Sequence, residues 1–285
     1  MRIVFFGTPQ FSADILRFLK ENGCDVVATV TRVDKPRGRG RKCLSSPVKV
    51  QASALDVPCL QALSAATLKR DLERYRPDLF LVVAFGEILS KEILDVPRLA
   101  SVNLHTSLLP KYRGAAPIQR CLMHGDEETG VSIIRMEQKM DAGPILKMVK
   151  VGIDPDDTFG TLEAKLLEVG SKALLDVVHD YEKGVVQETE QDHERATFAP
   201  KIQPKDCLID WSKTALENHH LIRALSPRPG AWAWVQFKGQ NVRLKILKSI
   251  VSQEGALQPI LVQLEGKKPM LFSDLLLGNP IEFIK

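Results

Sequence analysis

Asn103 and His105 stand two residues apart at the start of Asn103-Leu104-His105-Thr106-Ser107-Leu108-Leu109-Pro110-Lys111-Tyr112-Arg113-Gly114-Ala115-Ala116-Pro117, directly after a mostly apolar run. Alternation along a strand puts both on one face at its carboxyl end, the edge where open α/β sheets bind ligands. An amide donor beside an imidazole suits a carbonyl whose oxygen becomes negatively charged as the carbon is attacked. By residue type alone, the simpler reading is a pair of loop hydrogen-bonding groups. Asp141, in Met140-Asp141-Ala142-Gly143-Pro144, is by itself an Asx-turn residue before a strand. No Ser–His–Asp or Cys–His order points to a covalent nucleophile.

Other chemistries are excluded by what is missing. Gly7-Thr8-Pro9 stands where a dinucleotide-binding turn would, but its single glycine leaves G-x-G-x-x-G unformed, which argues against a nicotinamide cofactor. Cys24, Cys43, Cys59, Cys121 and Cys207 are odd in number and lack metal-ligand spacing. Neither a disulfide framework nor a zinc ribbon follows.

The elements that must hold these residues are legible as short apolar runs. Ile3–Phe6, Val26–Val30, Leu79–Phe85 and Leu99–Leu104 are strand-like, and Phe11, Ile15, Leu16 and Leu19 follow the first with helical spacing. Runs of this kind belong to a parallel sheet covered on both faces, so the fold class is α/β. Leu162, Leu166, Val169, Ala173, Leu174 and Val177 trace one face of a helix over 158–183, with Gly184 as its stop. Residues 187–205 are polar, nearly without period and interrupted by Pro200 and Pro204, as expected of a linker. Beyond 206 the alternating runs Trp232–Phe237, Val242–Ile250 and Ile260–Leu264 predict a small antiparallel barrel. Trp211, Trp232, Trp234 and Phe237 are expected in its core. The predicted division is thus 1–186, a linker 187–205, and 206–285.

Of the 285 residues, 44% are hydrophobic and 26% charged, which excludes disorder as the main state. No apolar stretch approaches the roughly 20 residues of a membrane span, and Met1–Gly7 breaks too early for a secretory segment. A cytoplasmic, monomeric protein is the expectation. The net charge of +4 is unevenly placed: residues 201–285 hold 12 Lys and Arg against seven Asp and Glu, and residues 31–42 hold six against Asp34 alone. Two basic features on an acidic remainder point to a polyanionic partner.

Asn103-Leu104-His105, Ser107-Leu108-Leu109-Pro110, Arg113-Gly114-Ala115-Ala116-Pro117-Ile118 and Asp141-Ala142-Gly143 together resemble the signature of the folate-dependent formyltransferases. Gly7-Thr8-Pro9-x-Phe11, the basic loop and Leu225-Ser226-Pro227-Arg228-Pro229-Gly230-Ala231-Trp232 resemble the branch that acts on charged initiator tRNA. The resemblance implies a Rossmann-like catalytic domain and an OB-like barrel. It also implies a formyl group passed from 10-formyltetrahydrofolate, as cosubstrate and without a metal, to the methionine α-amine of initiator methionyl-tRNA.

The resemblance makes Asn103, His105 and Asp141 catalytic. Asn103 would donate to the developing oxyanion, and His105 would add a donor or move a proton. Asp141 would hold the His105 tautomer and accept a proton from the amine. Ser107, Leu108, Leu109 and Pro110 match the folate-contacting tetrapeptide. Val83, Phe85, Gly86 and Ile88 lie in a segment similar to the one whose backbone borders the pterin. Lys35, Arg37, Arg39, Arg41 and Lys42 are the expected tRNA contacts. The barrel departs from the family pattern: only Val251–Pro259 stand where a longer Gly-rich hairpin is usual, so it looks shortened. Two rivals stay open, a formyltransferase for an amino sugar nucleotide and a non-catalytic OB-type tRNA binder.

Overall fold

A computed structural model describes residues 1–37, 42–61, 65–278 and 280–284. By contact the chain forms two compact units: Met1–Ala115, Gly130–Val151 and Lys165–Phe198 make the first, and Ala116–Thr129, Gly152–Ala164 and Ala199–Lys285 the second. The units interleave along the chain, in contrast to the contiguous division expected. Residues 187–198, expected as linker, are part of the first unit.

The chain runs through β1 (Arg2–Gly7), β2 (Asp25–Val30), the hairpin strands β3 (Lys35–Arg37) and β4 (Lys42–Leu44), β5 (Cys59–Leu60), β6 (Leu79–Val83) and β7 (Ala100–His105). β8 (Arg113–Gly114), β9 (Glu128–Arg135) and β10 (Ile145–Gly152) follow. Seven of these form a sheet in the order β10-β9-β7-β6-β1-β2-β5. β1, β2, β5, β6 and β7 are mutually parallel, and β9 runs antiparallel to β7.

The four apolar runs are β1, β2, β6 and β7. Their residues are continuous in hydrophobicity because both faces are covered. Val4, Phe6, Phe80 and Val82 pack with Leu68, Leu72 and Ile93 on one side, and Ile3, Phe5, Leu79 and Leu81 are fully buried on the other. Each such side chain contributes about 1.5–3 kcal/mol of burial. β10 gave no such run because it is an edge strand whose residues alternate between half-buried and exposed. The chain order reverses at β1, with β2 and β5 on one side and β6 and β7 on the other, so the carboxyl ends of β1 and β6 flank a switch-point crevice. The long helix Phe159–Lys183 ends at Gly184, whose φ of 69° lies in the left-handed region that favours glycine.

After β11 (Phe198–Ala199), the second unit contains β12 (Ala231–Phe237), β13 (Gln240–Val251), β14 (Leu257–Leu264), β15 (Met270–Leu271) and β16 (Glu282–Phe283). They form an antiparallel sheet in the order β15-β14-β13-β12-β16. Its core takes Ala231, Ala233 and Val235 from β12, with Ile222 and Leu225 of the helix Ala215–Leu225 packed on them. This corrects one expectation. A period of two turns Trp232 and Trp234 away from Ala231, Ala233 and Val235, which leaves Trp234 41% exposed, while Trp232 is half-buried and still packed against the core, the two rings edge-to-face at 5.5 Å. Trp211 and Phe237 are partly buried against the core. No described helix is long and apolar enough to cross a membrane.

Candidate active site

β6 and β7 pair in register, Val82 with Asn103 and Val83 with Leu104, which brings the β7 end beside the loop that leaves β6. Asn103 and His105 share one face of β7, as alternation predicts. Asp141 arrives from the turn between β9 and β10. Its Oδ1 accepts from Asn103 Nδ2 at 3.5 Å, and its Oδ2 lies 3.7 Å from His105 Nδ1. Three residues separated by 38 positions of sequence thus meet around one carboxylate.

The backbone supplies what holds them. His105 Nε2 donates to the Tyr112 carbonyl at 2.9 Å, which fixes the proton of a neutral ring on Nε2 and turns Nδ1 toward Asp141. The tautomer is therefore held by Tyr112, while Asp141 faces the other ring nitrogen. The Gly114 N–H donates to Asp141 Oδ2 at 2.8 Å. Asp141 itself has φ of 53°, a left-handed conformation that Asp tolerates better than most residues.

Gly143 is required by packing. A Cβ there would stand 1.9 Å from the Arg135 carbonyl oxygen of β9. Gly143→Ala is expected to cost at least about 1–3 kcal/mol, the usual range for overpacking. Denaturant unfolding checks this, and a midpoint equal to that of the unaltered protein would refute it.

Ser107–Pro110 form the turn after β7. Ser132 Oγ donates to the Ser107 carbonyl at 2.7 Å and accepts from the Leu109 N–H at 3.0 Å, and Ser107 Oγ donates to the Lys111 carbonyl at 2.6 Å. The Tyr112 N–H donates to Thr197 Oγ1 and the Arg113 N–H to the Thr197 carbonyl, both at 2.8 Å. Ser107 and Leu109 are buried, and Leu108 and Pro110 half-buried.

In the β6 segment, Val83 and Phe85 turn inward, and Phe85 stacks edge-to-face on Phe6 at 5.5 Å. Thr8 Oγ1 donates to the Phe85 carbonyl at 2.9 Å, tying this loop to the turn after β1. Ala84 and Gly86 both have positive φ, and Ile88 is 85% exposed. The segment thus has two residues in the left-handed region and one exposed apolar side chain.

β2 is parallel to β1, so the hairpin that follows it leaves the same sheet edge. Its strands pair Lys35 with Leu44, Pro36 with Cys43 and Arg37 with Lys42. Arg39 and Arg41 lie outside the described residues. The base of the hairpin is fixed by Lys49, whose Nζ donates to Asp34 Oδ2 at 2.6 Å, and by Gln61, which donates to Asp34 Oδ1 at 2.8 Å. These bonds hold the Asp34 carboxyl below the usual carboxylate range.

Sequence reasoning missed Tyr112, Thr197, Ser132 and Gln191 as parts of this cluster. Tyr112 acts through its carbonyl, which no side-chain pattern reports. Thr197 and Gln191 stand in the polar stretch that carried no periodic signal.

Comparison with known proteins adds an independent line. The profile described as "Formyl transferase" matches residues 1–178, and that described as "Formyl transferase, C-terminal domain" matches residues 201–259. A methionyl-tRNA formyltransferase of Protochlamydia amoebophila is 41% identical over 311 aligned residues, covering 100% of this chain and 98% of the relative. One of Thermotoga neapolitana is 40% identical over 304, covering 99% and 96%. Among solved structures, WlaRD, a sugar 3N-formyl transferase studied in the presence of dTDP and 5-N-formyl-THF, has a TM-score of 0.67 at 20% identity. It covers 94% of this chain and 99% of its own, a likeness of fold.

Proposed function

The chain belongs to the formyl transferase family, and from that we propose that it transfers a formyl group from 10-formyltetrahydrofolate to the methionine α-amine of charged initiator tRNA. The observation that carries the chemistry is the meeting of Asn103, His105 and Asp141 at the carboxyl end of β7. The choice of acceptor is supported by identities of about 40% over nearly the whole chain to methionyl-tRNA formyltransferases. A tRNA acceptor puts the activity in the cytoplasm.

The folate donor, when bound, supplies the activated formyl carbon. Left-handed backbone at Ala84 and Gly86 and the exposed Ile88 side chain, in the segment that leaves β6, support a flat heterocycle there. Ser107–Pro110 and the backbone of Val83–Ile88 would hold the donor.

One N–H of the Asn103 amide is directed at Asp141, which leaves the second to donate to the formyl oxygen as it gains charge. The Asp141 carboxylate accepts the proton that the attacking amine must lose. Its neighbour His105 has Nε2 committed to Tyr112, so Nδ1 is the ring atom through which a proton would pass. The proton is then available to the departing folate nitrogen, and no covalent enzyme species is needed. A non-catalytic tRNA binder would have no use for a carboxylate held by the Asn103 amide and the Gly114 N–H beside an imidazole.

The assay that decides is formyl transfer to charged initiator tRNA beside amino sugar nucleotides. Formyl-methionyl-tRNA as product is expected, and formylation of the sugar nucleotide alone would overturn the acceptor assignment.

We assign Lys35, Arg37, Arg39, Arg41 and Lys42 to acceptor-stem phosphates, because the hairpin leaves the same sheet edge as the catalytic cluster. Neutralising Arg37, Arg39, Arg41 and Lys42 together is expected to weaken productive tRNA binding. It should also flatten the log–log salt dependence by up to about one unit per lost phosphate contact. Folate affinity should not change. Kinetics over a salt series check this, and an unchanged slope with unchanged efficiency would remove the hairpin from the interface.

A further inference from the structure

We propose that Gln191 is a positioning residue for the transfer, holding Asp141 and the Tyr112–Gly114 backbone in their working arrangement. The proposal rests on the formyl-transfer function above and gives a role to a segment that sequence alone offered as a linker.

Three polar contacts carry it. Gln191 Nε2 donates both of its hydrogens, one to the Asp141 carbonyl at 3.0 Å and one to the Gly143 carbonyl at 2.7 Å. Gln191 Oε1 accepts from Arg113 Nη2 at 2.6 Å. The amide has no spare donor, and it is only 6% exposed. It therefore acts through its neighbours, since little of it is open to a substrate.

Those neighbours are the ones that set the catalytic geometry. The turn carrying Asp141 has little support of its own: the Ala142 N–H reaches the Lys139 carbonyl at 3.3 Å, and Asp141 sits at φ 53°. A left-handed L-residue persists only where its surroundings fix it. Arg113 is buried between Gln191 and His193. It is 2% exposed, its Nη2 also donates to His193 Nδ1 at 2.9 Å, and its Nε has no partner. Burial pushes the guanidinium below its ordinary value, and the Asp141 carboxylate pulls it back up. On either side of Arg113 stand Tyr112, whose carbonyl fixes the His105 ring, and Gly114, whose N–H holds Asp141 Oδ2. One amide thus joins the backbone that presents the carboxylate to the backbone that aims it.

The test uses two full-length variants. Q191E keeps the volume and the acceptor for Arg113 but sets carboxylate oxygens against two carbonyls. Q191M keeps the length and loses all three bonds. We expect kcat for charged tRNA to fall by about 10- to 100-fold, the loss typical of a displaced catalytic group. KM for the folate donor should stay within about twofold. Hydrogen exchange of the Gly114 amide, which Asp141 protects, should accelerate by about tenfold or more as the carboxylate drifts. On an Asp141→Asn background Q191E should cost less than about twofold further, because residues acting through one another are not additive.

A residue that only added stability would lower the unfolding midpoint and leave kcat and the double-mutant term additive. Full kcat in folded Q191E, unchanged Gly114 exchange, or additivity with Asp141→Asn would each overturn the proposal. Should Q191M fail to fold, Q191E and its exchange pattern decide. If the unaltered protein does not formylate charged tRNA, the function falls on that control, and Gly114 exchange still reports whether Gln191 places Asp141.

Discussion

Asp141→Asn is expected to lower the rate of formyl transfer by about 10²–10⁴-fold, the range of a lost general base. Both carboxylate oxygens are in use: Oδ2 accepts from the Gly114 N–H at 2.8 Å and Oδ1 from Asn103 Nδ2 at 3.5 Å. An asparagine has one acceptor and one donor end. If its oxygen stays on Gly114, its NH2 confronts the NH2 of Asn103. If it flips, the Gly114 N–H meets a donor. Either orientation breaks one bond and removes the negative charge beside His105 Nδ1, while volume is nearly preserved. Folate affinity should be little changed, so the loss appears in kcat. A pH–rate profile of the variant checks the assignment, and near-normal turnover across the whole range would eliminate Asp141 as the proton acceptor.

Asn103→Ala is expected to lower kcat by about 10²–10³-fold, as when one oxyanion donor is removed. The amide stands at the end of β7, paired in register with Val82 of β6 and Ile134 of β9, so its backbone is fixed on both sides. Only the side chain is lost in the variant. Because the charge on the formyl oxygen develops only as the bond forms, KM for the folate donor should hold within a few-fold. Steady-state kinetics with charged tRNA measure the split. A variant with normal kcat, or one whose whole loss lies in the folate KM, would take Asn103 out of the transition state.

Much of this site was legible from residue order. Asn103 and His105 announced themselves because a strand fixes alternation: once Leu99–Leu104 is a buried strand, two residues spaced by two must share a face at its end. The signature turned Asp141 from an Asx-turn residue into an expected partner of His105, and its contact with Asn103 came only with the structure. Other features were hidden for definite reasons. β10 is an edge strand with half-exposed positions, so its apolar run is diluted. Trp234 was expected in a core and is 41% exposed, since alternation says only that neighbours face opposite ways and not which face is inner. That choice was made by packing, where Ala231 and Ala233 allow the helix Ala215–Leu225 to approach β12.

The sequence by itself determined the α/β class, the four buried parallel strands and the long helix ending at Gly184, and the family signature singled out Asn103, His105 and Asp141 as the candidate catalytic groups. Each follows from short-range rules: period, turn chemistry and the order of a motif. Only the tertiary structure decided how those groups are held. The His105 proton is set by the carbonyl of Tyr112, the Asp141 carboxylate by the N–H of Gly114, and the Asp141 turn by Gln191, 50 residues further along the chain. Backbone groups are present at every residue and carry no signature in sequence. Which of them meets a given side chain is settled when strands far apart in the chain come into register and buried polar atoms must each find a partner.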